Sequence, residues 1–458
     1  MSMSSHRGIR TTILCLLYFA QGFPYGFVLY TLFSVFIEQG FTRDEAGIIT
    51  GFSVLPWTFK FLWAPLIDSI RFPALGLRRP WILLAQLGMA VTLIANSQAG
   101  GLGKLAPETT VEVSSWTSWF FSWVAGPDQS GSATEVSTLI FVAGVFFLHN
   151  AFASLQDVAT DALAVDILEE SERGRVNGFM WGSKMFGTTV GTTGGVYLIE
   201  QFELNVTLQV LATGILLIAL AVLFVRERDG EKRFPWSKGE ASSTQAESLR
   251  SPILVLSELF RALSKWTTGA AVLLSVITSF SLGIFIPLSS DTFINVYGWT
   301  SGQYSEAFGT WGIGGELVGA LLGGFLCDRM GRRKIAAIGG TCMGIAMISF
   351  SLLLSAATVN PLWVLPVFKG FVAFQTVALF SLYMKICWTT SAATQFTLYM
   401  AVSNLGTYIG NEIARIEDME RADLFMISGI SALVPLALMF TLRPDSIVEL
   451  RRSEEKAS

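Results

Sequence analysis

Two turns of the same design, about 260 residues apart, limit what this chain can fold into more than any other feature. The first runs Ala64-Pro65-Leu66-Ile67-Asp68 and on to Gly76-Leu77-Arg78-Arg79-Pro80. The second runs Gly324-Phe325-Leu326-Cys327-Asp328-Arg329-Met330-Gly331-Arg332-Arg333-Lys334. Each closes a long apolar segment on an Asp, turns through Gly and a basic cluster, and opens the next apolar segment. A repeated turn of this kind between apolar segments implies two copies of one membrane unit. Chains with such internal repeats typically bind a solute between the copies near the bilayer midplane.

Composition supports the membrane reading. Hydrophobic residues make up 52% of the chain and charged residues only 14%, where a soluble domain carries about a quarter. The mean hydropathy is +0.54. A spanning helix needs about 20 mainly apolar residues, and twelve segments qualify: 10–37, 47–67, 80–98, 136–165, 176–199, 207–225, 266–290, 303–327, 335–356, 362–388, 396–416 and 424–442. The fold class expected is therefore an all-α membrane protein with twelve transmembrane helices in two pseudo-symmetric six-helix bundles. The expected domains are 1–225 and 266–442, joined by a polar linker over 226–265 and followed by a tail over 443–458. The linker is rich in Glu, Lys, Ser and Gly and reads as partly disordered.

Lys and Arg set the expected orientation. With the N-terminus in the cytoplasm, that side receives twenty-three of them and the other face four, Arg43, Lys104, Arg415 and Arg421. Both termini, the linker and both Asp/Arg turns are then cytoplasmic. The first apolar run is too long for the apolar region of a cleaved signal and reads as a first span. Between the third and fourth spans, Trp116, Trp119, Phe120 and Trp123 recur at helical spacing, which implies an aromatic face lying on the outer interface or over the cavity.

A second trace of duplication lies in the fourth and fifth spans. Residues 155–187 overlay 374–406 without a gap at an offset of 219, placing Gln156 on Gln375, Gly187 on Gly406 and Gly191 on Gly410.

Polar groups inside spans are costly and call for a function. The fourth span carries Gln156, Asp157, Asp161 and Asp166. Asp157 and Asp161 share a face about 6 Å apart. Two carboxylates so placed oppose each other's ionisation, as a proton-coupling site requires. Asp166, and in an alternative reading Asp161, instead latches the cytoplasmic gate onto Arg173, Arg175 or Lys385. Lys184 is the expected cation for an anionic substrate beside Asp157, whereas Lys60 and Lys385 can snorkel to the interface. Lys369 is open to a substrate role or a buried pair, and Glu316 stands among Gly312, Gly314, Gly315 and Gly319, where close helix packing is expected. Glu412 completes the intramembrane carboxylates.

Gln21-Gly22-Phe23-Pro24-Tyr25-Gly26 is expected to break the first span, which makes Gln21, Tyr25 and Tyr30 candidate cavity residues. Gln375, Tyr399, Asn404 and Asn411 offer neutral hydrogen bonding in the second half. Asp68 with Arg78 and Arg79, and Asp328 with Arg332 and Arg333, are expected to pair as gating latches. No nucleotide-binding loop, catalytic triad or metal-ligand spacing is present, so neither enzymatic activity nor a metal or other cofactor is expected. The expected partners are a small-molecule substrate, protons and the lipid bilayer, with no nucleic acid, and the chain is expected to work as a monomer.

The second turn resembles the Gly-x-Leu-Ala-Asp-Arg-x-Gly-Arg-Lys signature of the major facilitator superfamily. Phe59-Lys60-Phe61-Leu62-Trp63-Ala64-Pro65-Leu66-Ile67-Asp68 and Ser154-Leu155-Gln156-Asp157-Val158-Ala159-Thr160-Asp161-Ala162, running on to Asp166-Ile167-Leu168 and Glu172-Arg173-Gly174, are similar to AmpG-type permeases. The resemblance implies a secondary carrier of the inner membrane importing muropeptides, anhydro-sugar peptides from cell-wall turnover, with protons. Alternatives are a carrier for another anionic metabolite such as a CoA ester, and a non-transporting sensor or assembly factor on the same fold. Leu163 and Ala164 stand where AmpG-type proteins usually carry Trp-Lys.

Overall fold

The computed structural model describes residues 2–32, 52–53, 55–70, 72, 74–98, 110–112, 135–234, 236–237, 257, 260–261, 263–299, 301–354, 361–387, 392–414 and 419–441. The expected aromatic face at Trp116–Trp123, the Tyr30 and Glu412 side chains and the tail 443–458 lie outside the described residues.

Among the described residues the chain is all-α apart from two three-residue strands, β1 (Thr110–Glu112) and β2 (Glu135–Ser137), paired antiparallel in the segment between the third and fourth spans. Eight helices among the described residues are long and apolar enough to cross a membrane. The protein is a multi-pass membrane protein. Its contacts divide it into two units, Met1–Leu163 with Phe186–Leu249, and Ala164–Met185 with Arg250–Ser458.

In the first unit, α1 (Arg7–Gly26) continues through Pro24. The expected break is absent. The helix instead passes into a π-helical turn at Phe27–Leu32, just after the proline removes one backbone donor. A short α2 (Trp63–Ser69) ends on the Asp68 turn, α3 is Arg79–Gln98 and α4 is Thr138–Ile167. The next helical stretch, α5, covers Arg173–Phe224. Unbroken, its 52 residues would extend about 78 Å at 1.5 Å each, far beyond a hydrocarbon core of about 30 Å. Glu203, at φ 71° and ψ 165°, breaks it. Gly191 on one limb and Gly214 on the other both lie against Phe23, so the chain turns back at Glu203. Phe27, Phe146, Leu208 and Leu211 centre the apolar core here.

The second unit contains α6 (Trp266–Asn295), a short α7 (Ser301–Ala307), α8 (Ile313–Met330), α9 (Arg332–Leu353), α10 (Val364–Ile386), α11 (Ala392–Ala414), α12 (Arg421–Leu433) and α13 (Pro435–Thr441). Helix α6 packs along α11, α8 along α10, and α9 along both α10 and α12. Phe285 stacks on Phe368 at 3.8 Å between centroids, and Phe350 meets Phe425 edge to face.

The duplication read from sequence is visible in each unit's packing. Gly187 and Gly191 press against the Phe19 and Phe23 carbonyls of α1, and Gly26 against that of Thr188. In the second unit Gly406 and Gly410 press against Val276 and Phe280 of α6, and Gly283 against Thr407. The α5 and α11 residues differ by the constant offset of 219, and their partners by 257. These are backbone-on-backbone crossings where a side chain would have no room. The two turns share a further device: Gly76 and Gly331 both hold positive φ, 108° and 94°, a conformation that side-chain-bearing residues resist.

Candidate functional site

A polar stripe runs down α4 in the first unit, formed by Asn150, Ser154, Asp157 and Asp161 at spacings of four, three and four residues. Each meets a donor from outside α4. Trp57 Nε1 donates to Asn150 at 2.9 Å, and Trp63 Nε1 to Ser154 at 3.0 Å. Lys60 Nζ pairs with Asp157 Oδ2 at 2.9 Å, and Tyr18 Oη donates to Asp161 Oδ1 at 2.5 Å. All four stripe residues are buried. Asp157 and Asp161 are thus each held by a donor of their own. The cation at Asp157 is Lys60 rather than Lys184, and Lys60 is buried rather than snorkelling. The short helical turn Lys60–Leu62 that precedes α2 carries the ammonium inward.

Gln156 is buried and donates from Nε2 to the Leu17 carbonyl at 2.9 Å, while its Oε1 has no partner. Gln21, one turn further along α1, is buried with both amide atoms unpartnered. Thr160 Oγ1 is likewise unsatisfied. Buried polar atoms ordinarily find partners, so this wall of α1 and α4 holds spare hydrogen-bonding capacity. Tyr25 packs edge to face on Trp57, with centroids 6.3 Å apart. Tyr18, Trp57 and Trp63 were not singled out from sequence. The signal for Tyr18 was its place one turn before Gln21 on the same face of α1.

In the second unit, Lys369 Nζ lies 2.6 Å from Glu316 Oε2, and Trp181 Nε1 donates to Glu316 Oε1 at 3.2 Å. Of the two readings open for Lys369, the structure has the buried pair. Gly315 and Gly319 let α8 close on Pro366 and Gly370 of α10, which sets that pair. Lys184 sits over the Trp181 ring at 5.7 Å. Gln375 donates to the Ala336 carbonyl of α9, so it does not repeat the contact of Gln156 on α1. Asn404 lies on an exposed face of α11 beside Leu405 and Tyr408. Tyr399 is buried and accepts from Gln395 at 3.0 Å.

The two turns differ in detail. Arg78 pairs with Asp68 at 2.9 Å, both buried, and donates to the Ile67 carbonyl. Arg79, fully buried, points to backbone carbonyls instead of a carboxylate: those of Leu75, Val222, Leu223, Lys232 and Arg233. Glu227 in turn accepts the Arg78 and Arg79 backbone N–H groups at the start of α3. Its charge suits a helix N-terminus. The N-terminal residues join this knot through Met3 and Ser4, whose N–H groups donate to the Arg226 and Glu227 carbonyls.

At the second turn Asp328 accepts from the Gly174 and Arg175 backbone N–H groups at 2.8 Å each, with the Arg175 guanidinium 3.6 Å away. The expected pairing of Asp328 with Arg332 and Arg333 is not what forms. Helix α8 crosses the start of α5 where Gly174, Gly178 and Gly324 allow contact, so the N-terminus of α5 reaches Asp328 first. Arg332 turns to Glu170 and to Ser381 Oγ, and Lys385 also meets Glu170, at 2.7 Å. Arg173 holds the Val165, Leu168 and Met384 carbonyls. Glu170, unmarked from sequence, is the carboxylate on which Arg332 and Lys385 converge. Asp166 is half-buried near the end of α4.

The sequence profile of the Major Facilitator Superfamily matches residues 14–411. The chain is 25% identical over 444 residues to the anhydromuropeptide permease of Escherichia coli (strain K12), covering 95% of this chain and 80% of that protein. It is 24% identical over 401 residues to the putative transporter AmpG 4 of Rickettsia conorii, with 84% of each covered. Among solved structures it superposes on the proton:xylose symporter XylE with a TM-score of 0.68 at 13% identity, covering 96% of both chains. It also superposes on the transporter FucP in the outward conformation with a TM-score of 0.61 at 16% identity, covering 95% and 98%. With that profile spanning most of its length and helices packed in the same fold, the chain belongs to the major facilitator superfamily of membrane transporters.

Proposed function

We propose that this transporter is a proton-coupled symporter of the inner membrane for muropeptide-type substrates, worked by alternating access of two six-helix halves over 1–225 and 266–442. The observation that carries the reading is the wall of α1, α2 and α4: the Lys60–Asp157 pair, the Tyr18–Asp161 bond, and the unpartnered amides of Gln21 and Gln156. An anhydro-sugar peptide carries hydroxyls, amides and a carboxylate, and these groups complement it. A proton taken by Asp157 releases the Lys60 ammonium to an anionic substrate. One taken by Asp161 frees the Tyr18 hydroxyl. Each exchange links proton and substrate binding reciprocally. The similarity to the E. coli permease over most of both chains supports the substrate class.

Gln21, Tyr25, Tyr30, Gln156, Asp157, Lys184, Gln375 and Asn404 are assigned to substrate binding, and Asp157 and Asp161 to the proton. Asp68, Arg78, Arg79, Asp166, Asp328, Arg332 and Arg333 are assigned to cytoplasmic gating, with both termini cytoplasmic and a monomer as the working unit.

The test is uptake of a labelled anhydro-sugar peptide into proteoliposomes under an imposed pH gradient, beside counterflow without one. Wild type should concentrate the label. Asn at the true proton site, Asp157 or Asp161, should abolish accumulation and spare counterflow. Accumulation by both variants rejects the proton site, and absence of counterflow in wild type rejects transport of this substrate.

A further inference from the structure

The second unit holds a cavity of about 700 Å³. It opens among the C-terminal end of α8, the start of α9, the end of α10 and α13, all at one end of the unit's spans. Four cations line it: Arg332, Arg333, Lys334 and Lys385. Its remaining walls are largely apolar, with Ile338, Leu382, Leu436 and Met439 among them. Arg332 and Lys385 already share the Glu170 carboxylate. Arg333 and Lys334 make no ion pair with any described residue. Cations gathered at the mouth of an apolar cavity call for a ligand that is anionic at one end and hydrocarbon at the other.

We propose that this cavity is a binding site for an anionic phospholipid, with the phosphate among Arg332, Arg333, Lys334 and Lys385 and one acyl chain along α9, α10 and α13. Basic cavities between spans on the cytoplasmic side suit acidic lipid headgroups, each nearby cation strengthening the attraction. A free phosphate would satisfy the cations but leave the apolar wall uncovered, which favours a lipid as the source. The lipid phosphate also competes with Glu170 for Arg332 and Lys385, so occupancy loosens the contact between the α4–α5 connection and the ends of α9 and α10. The proposal is independent of the transported substrate, because binding is read without transport.

The experiment uses the full chain purified in detergent, titrated with phosphatidylglycerol or phosphatidylcholine and read by native mass spectrometry as the lipid-bound fraction. Wild type should retain phosphatidylglycerol over phosphatidylcholine. The double variant Arg333→Gln with Lys334→Gln should weaken phosphatidylglycerol binding roughly 10- to 30-fold, from the loss of two cations. Arg333→Lys with Lys334→Arg should restore it, and Glu170→Gln should strengthen it by freeing Arg332 and Lys385. Equal retention by the double Gln variant, or equal retention of the two lipids by wild type, overturns the proposal. Displacement of phosphatidylglycerol by millimolar glycerol phosphate overturns the lipid assignment in favour of a soluble phosphate.

Discussion

Lys60 and Asp157 close a salt bridge of 2.9 Å with 5% and 2% of their side-chain surfaces exposed. A pair so deeply buried strands a charge if one partner is lost. Lys60→Met should therefore destabilise the protein by about 3–5 kcal/mol, whereas Lys60→Met combined with Asp157→Leu should recover most of that loss. Thermal unfolding in detergent reads both. A double variant no more stable than the single one would show that the pair is not the source of the loss.

Asp328 anchors the start of α5 through two backbone N–H groups. Asp328→Asn turns one acceptor into a donor facing an N–H and removes the charge that the helix end favours, a loss of about 1–2 kcal/mol. Arg175→Gln should cost less, because the Arg175 side chain is 39% exposed and stands 3.6 Å from Asp328. Unfolding temperatures that rank the two variants the other way would reject the backbone anchor as the main contact.

Glu170 titrates outside the spans. The hydrogen bond from Lys385 lowers its pKa, with Arg332 adding to the effect against partial desolvation. Since the folded value lies below the ordinary 4.5, the contact stabilises fully above that value and is lost as pH falls through the depressed one. The difference in unfolding temperature between wild type and Glu170→Gln should hold from pH 7 to about pH 5 and shrink towards pH 3. A difference unchanged at the acid end would count against the ionised contact.

The glycine crossings should be intolerant in both units. A methyl at Gly191 would enter the space of the Phe23 carbonyl, and one at Gly410 that of Phe280. Gly191→Ala and Gly410→Ala should each cost about 1–3 kcal/mol. Gly194→Ala, with nothing within 4 Å, serves as the neutral control. Helix propensity alone favours Ala over Gly, so matching losses in all three would mean that close approach does not set the cost.

The helical, duplicated plan was legible because it rests on composition and on glycines whose offset survives as contact: Gly187 and Gly406 do the same work in their units. The Asp68–Arg78 contact was legible because both residues belong to one short turn. The partners of Asp157 and Asp328 were not. Lys60 and Arg175 come from distant stretches, and helix crossings rather than sequence neighbours bring them together. Pro24 signalled a break that the π-helical turn at Phe27–Leu32 accommodates instead. Glu170 looked like one solvated charge among Glu169, Glu170 and Glu172, and nothing local singled it out as the point where Lys385 and Arg332 meet.

Glu203 fixes more than a bend. Counting crossings, the reversal at this one residue decides on which side of the bilayer the knot at Arg226–Arg233 emerges. Were the two limbs of α5 a single rod, the parity of the chain would change and that knot would emerge opposite the residues 2–4 that it grips. The hydrogen bonds from Met3 and Ser4 to Arg226 and Glu227 thus act as a parity check: they close only when the number of crossings between them is even.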